Sequence, residues 1–90
     1  MGRKEKVTEI IDGDTFLTNR RKIPVRLNNV DTPEKRQLGY QQAKGALKNL
    51  IQGQEVTVET ICRDKFKRTV ANVKVGNRSV NKAMQKHQKK

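Results

Sequence analysis

Val7-Thr8-Glu9-Ile10-Ile11-Asp12-Gly13-Asp14-Thr15-Phe16-Leu17-Thr18 is the stretch that decides the fold. Val7 to Ile11 alternates enough to be a strand, and Asp12-Gly13 is a tight-turn signal between two β-like runs. Thr15 to Thr18 then reads as a second strand. After the turn Asn19-Arg20-Arg21-Lys22, the alternation of Ile23, Val25 and Leu27 predicts a third strand with Arg26 on its other face. Pro24 marks an edge or a bulge at that strand's start.

Working outward, Asn28 to Arg36 reads as a loop. Ala43, Ala46, Leu47, Leu50 and Ile51 share one face of a helix from about Gln37 to Ile51, ended by Gly53. Val56, Val58 and Thr60 alternate in a fourth strand, and Val70 to Val75 forms a fifth. Asp64 to Arg68 is a charged turn between them, and Gly76-Asn77 is another turn. Val80, Ala83, Met84 and His87 point to a short C-terminal helix. Residues 1–6 and 88–90 are polar and expected to be loose. The reading is one mainly β domain over 1–90. Five strands suit an OB-type Greek-key barrel. Periodicity alone leaves another small α+β sheet open.

The chain has 90 residues, 32% apolar, with Phe16, Tyr40 and Phe66 as its aromatics. Such a chain has a thin core and no transmembrane helix. Twenty-one basic against nine acidic side chains give a net charge of +12. The charge is uneven: residues 63–90 hold ten basic and one acidic side chain, whereas five of the first six acids are Glu9, Asp12, Asp14, Asp31 and Glu34. The basic third points to nucleic acid, DNA or RNA, as partner. Cys62 alone cannot form an internal disulfide, and one cysteine with one histidine does not make a zinc site. No apolar stretch follows the charged start, so the expectation is a cytoplasmic monomer without a membrane partner. A secreted chain written without its leader would read the same.

Two acidic segments stand out, Asp12-Gly13-Asp14-Thr15 and Asp31-Thr32-Pro33-Glu34. Each has a bland reading: Asp-Gly makes a turn, and Asp31 with Glu34 resembles a helix capping box. Pairing of the second and third strands brings the turn before Thr15 and the loop after Leu27 to one end of a hairpin. Asp14 and Asp31 then converge, and two carboxylates with a backbone carbonyl suit a hard cation such as calcium. Planar guanidinium groups match the charged oxygens of a phosphodiester under attack. Arg26 is placed for this. Sequence physics does not separate Arg68 from Lys67 or Arg63.

Ile11-Asp12-Gly13-Asp14-Thr15, Val25-Arg26-Leu27 with Val30-Asp31-Thr32-Pro33-Glu34, and Asp64-Lys65-Phe66-Lys67-Arg68 together resemble the staphylococcal nuclease family. Val80-Asn81-Lys82-Ala83 resembles the start of the helix after that family's barrel. The resemblance runs from about Val7 to Met84. It implies an OB barrel and a calcium-dependent (Ca2+) nuclease. By motif match, Asp14 and Asp31 would be the metal carboxylates and Thr32 would offer its carbonyl. Glu34 would position or deprotonate the attacking water, and Arg26 and Arg68 would clamp the phosphate. Asp12 would lie near the metal rather than on it. Phe66 stands where the best-known member has tyrosine, and no aromatic follows it. A non-catalytic basic OB module that binds nucleic acid is the alternative, but it has no need of all five charged residues together.

Overall fold

The computed structural model describes residues 2–88. Its elements are β1 (Arg3–Asp12), β2 (Thr15–Thr18), β3 (Arg21–Leu27), α1 (Tyr40–Ile51), β4 (Glu55–Arg63), β5 (Thr69–Val75), β6 (Arg78–Ser79) and α2 (Val80–Gln85). Antiparallel pairing gives the order β3-β2-β1-β4-β5-β6. A parallel pairing of Val25, Arg26 and Leu27 with Thr69, Val70 and Ala71 joins β3 to β5. That pairing closes five strands into the expected OB-type barrel, and two-residue β6 is a hairpin addition. Pro24 lies within the irregularity of the β2–β3 register, between Arg21 and Val25, and just before the residues of β3 that pair with β5. A residue without an N–H fits there.

Inward side chains of the strands, among them Val7, Phe16, Val25, Leu27, Val56 and Val73, form one buried cluster with Leu47 and Ile51 of α1 and Val80 and Met84 of α2. Aliphatic stripes thus fix both helices over the barrel. No helix among the described residues is long and apolar enough to cross a membrane.

Three expectations need correction. Residues 3–6 are not loose: they pair with β4 from Arg3↔Val58 to Lys6↔Glu55. Their polar character hid a buried Glu5, which accepts hydrogen bonds from Thr18 Oγ1 at 2.7 Å and Arg21 Nε at 2.9 Å. Charge pairing replaces apolar burial at that barrel end. Secondly, α1 starts at Tyr40, not Gln37, because Gly39 at φ 90° sets the entry without a side-chain cap. Asp31 and Glu34 therefore do not form a helix capping box. Thirdly, Gln88 has a partner: its Oε1 accepts the Asp31 N–H at 3.2 Å. The loose ends expected at residues 1, 89 and 90 lie outside the described residues.

Candidate active site

The β2–β3 hairpin builds the first half of the site. Thr15 pairs with Arg26, and the Leu27 N–H donates to the Asp14 carbonyl at 2.8 Å. Asp14 at the β1–β2 turn and Arg26 on β3 are thereby neighbours. Gly13 needs no special backbone angle, but a Cβ there would meet Thr32 Oγ1 and Ala43 Cβ at 2.7 Å each. The glycine lets the turn, α1 and the 28–39 loop approach closely.

That loop is held by its neighbours. Asn29 takes a left-handed φ of 60°, and Val30 and Thr32 are buried on either side of exposed Asp31. The Thr32 N–H donates to Asp14 Oδ2 at 3.4 Å. Asn81, buried on α2, donates through Nδ2 to the Asn28 carbonyl at 2.9 Å and the Ala71 carbonyl at 3.1 Å, while its Oδ1 accepts the Val73 N–H at 2.8 Å. So α2 ties the loop's root to β5.

Arg26 joins the two acidic segments. Its Nη2 lies 3.4 Å from Asp14 Oδ2 and 3.7 Å from Asp31 Oδ1, and its Nη1 donates to the Leu27 carbonyl at 2.9 Å. Asp12, Asp14, Arg26, Asp31, Thr32, Glu34 and Arg68 line one cavity of about 280 Å³. Every residue singled out for the site thus reaches the same space. Lys67 and Arg63 are not part of its lining, which separates Arg68 from them. Asp12 also acts on Tyr40: burial first, and then the Asp12 carboxylate, push the Tyr40 hydroxyl's pKa up.

Arg68 is set by its own turn. Asp64 Oδ2 accepts Arg68 Nε–H at 2.7 Å, and Asp64 Oδ1 accepts the backbone N–H groups of Phe66 and Arg68, both at 2.9 Å. Partial burial would raise the Asp64 pKa, but the Arg68 and Phe66 hydrogen bonds and the Arg68 charge outweigh it and hold it low. The guanidinium also lies 5.3 Å from the centroid of the exposed Phe66 ring. Sequence reasoning gave Asp64 and Asn81 no role. The i, i+4 spacing of Asp64 and Arg68 was the available signal for the first. Nothing in the sequence pattern marked Asn81 as buried.

A family model described as staphylococcal nuclease homologue matches residues 24–87. The chain belongs to the staphylococcal nuclease family. Among curated relatives, a Haemophilus influenzae protein named "Uncharacterized endonuclease" is 37% identical over 84 residues, covering 90% of this chain and 47% of the relative. An Escherichia coli O157:H7 protein of the same name is 34% identical over 70 residues, covering 76% of this chain and 46% of the relative. "Micrococcal nuclease" of Shigella flexneri is 40% identical over 70 residues, covering 76% and 40% respectively. This staphylococcal nuclease homologue spans less than half the length of these relatives.

Proposed function

We propose that this chain hydrolyses phosphodiester bonds of DNA or RNA with calcium, held by the Asp14 and Asp31 carboxylates and the Thr32 carbonyl. The observation that carries this reading is the single Arg26 nitrogen facing both carboxylates in a cavity that Glu34 and Arg68 also line. The nuclease names of the relatives support it. So does the net charge of +12, which attracts a polyanion.

The donor set fits the cation. It is all oxygen, as a hard cation requires. No three His, Cys, Asp or Glu side chains stand close enough to cage a metal among the described residues. The shell therefore needs the carbonyl and water, which calcium's flexible coordination accepts. The chemistry such a cation supplies is Lewis acidity toward a phosphoryl oxygen.

The rest is work for side chains. Glu34 is exposed at the cavity, with its backbone N–H held by Gln37 Oε1 at 2.8 Å, and takes the proton of the attacking water. Arg26 and Arg68 hold the non-bridging oxygens, whose charge their planar donors match. The test is digestion of plasmid DNA and single-stranded RNA in calcium or in chelator. Cleavage is expected with calcium, to be lost in Asp14→Ala and strongly slowed in Glu34→Gln. Variants that cleave as fast as the parent would refute the assignment. Binding without cleavage by the parent would establish the non-catalytic module instead.

A further inference from the structure

We propose that Asp64 is a positioning residue, which aims the Arg68 guanidinium into the cavity by holding its Nε–H while the same carboxylate closes the 64–68 turn. This rests on the nuclease reading above.

The division of labour within one carboxylate carries the inference. Oδ1 takes the two backbone N–H groups of Phe66 and Arg68, which folds the turn. Backbone bonds from Lys67 N–H to the Asp64 carbonyl at 3.0 Å and from Asp64 N–H to the Arg68 carbonyl at 3.1 Å complete it. Oδ2 is left for the side chain of Arg68. With Nε committed there, the terminal nitrogens are what Arg68 presents to the cavity. A flexible side chain of high rotamer entropy is thereby fixed before a substrate arrives. The turn is tight enough to hold Lys67 at φ 65°, a left-handed angle that a lysine adopts only under constraint.

Asp64→Asn separates the two jobs. Its Oδ1 still accepts both backbone N–H groups, so the turn persists. Its amide NH2 then faces Arg68 Nε–H, donor against donor, and releases the guanidinium. The experiment measures kcat and KM for calcium-dependent cleavage by the parent, Asp64→Asn, Arg68→Ala and the double variant. NMR hydrogen exchange at the Arg68 Nε–H and thermal unfolding accompany the kinetics.

The expected result is a kcat loss on the order of 10²-fold in Asp64→Asn, since misplacing a reacting group by about an ångström costs that much. KM should stay near the parent's, and the unfolding midpoint should change little. The Nε–H should be protected in the parent and exchange freely in the variant. Adding Asp64→Asn to Arg68→Ala should cost nothing further, because two residues acting as one unit are not additive. Parent-like turnover in Asp64→Asn, an equal loss on both backgrounds, or an Nε–H that stays protected would overturn the proposal while leaving the nuclease reading intact. A parent that does not cleave would overturn both.

Discussion

Replacing Asn81 by alanine tests whether α2 holds the active-site loop. Asn81 Oδ1 is the partner of the Val73 N–H, and its Nδ2 serves the carbonyls of Asn28 and Ala71. The Ala71 carbonyl keeps a second donor, the Asn28 N–H at 2.9 Å. Truncation therefore strands two backbone groups, the Val73 N–H and the Asn28 carbonyl. A buried polar group left without a partner costs about 1–3 kcal/mol, or about 2–6 kcal/mol for two. Alanine returns roughly 0.5 kcal/mol as the better helix former. Asn28 is only half-buried and water can reach it, which favours the lower part of the resulting range, about 1.5–3.5 kcal/mol. For a domain of this size that lowers the midpoint by about 6–28 °C. Urea and thermal unfolding followed by circular dichroism measure it, with Lys82→Ala on the exposed side of the same helix as the control. Asn81→Asp should be no better than alanine, since it keeps an acceptor for Val73 but supplies no donor. A loss below about 1 kcal/mol for Asn81→Ala would refute the anchoring argument.

Arg68→Lys should lose nearly as much turnover as Arg68→Ala, on the order of 10²–10³, because lysine lacks the planar fork; a lysine variant with near-parent kcat would remove Arg68 from the transition state. Burial would raise the Glu5 carboxyl, but hydrogen bonds from Arg21 and Thr18 and the nearby charges of Arg21 and Arg20 outweigh it and hold its pKa below the ordinary 4.5. Its contribution to stability is thus complete above about pH 4.5 and is lost as pH falls through the lowered folded value, so Glu5→Gln should flatten the acid limb of a stability–pH curve. Nucleic-acid affinity should fall with salt at roughly −0.9 in log–log slope per duplex phosphate neutralised. Replacing Lys86, Lys89 and Lys90 by glutamine should flatten that slope, and an unchanged slope would place the contact face elsewhere.

The apolar alternation of Ile23, Val25 and Leu27 and the helical stripe from Ala43 to Ile51 were legible because each reports burial on one face. The convergence of Asp14, Arg26 and Asp31 followed from hairpin register, which is local. Parallel pairing of β3 with β5 was not legible, since no local pattern encodes which distant strand supplies a partner. Glu5 was read as part of a loose segment and Asn81 was given no role, for a related reason. Their burial depends on partners, Arg21 for one and two carbonyls for the other, that only the closed barrel brings near. The start of α1 slipped by three residues because Gly39 sets it through backbone conformation rather than through a capping side chain.

The pairing of Val25 with Thr69 has a temporal consequence. Strands β1, β2 and β3 are joined by short turns and pair as neighbours in sequence, so the half of the site that holds Asp14 and Arg26 is assembled from local contacts. Arg68 arrives across a pairing of strands far apart in sequence, one residue before β5 begins. Loop closure makes such pairings the slow part of forming a small barrel. Refolding from urea should therefore restore cleavage together with the final closure of the barrel. Cleavage that returned ahead of the β3–β5 amide protection would separate the chemistry from that seam.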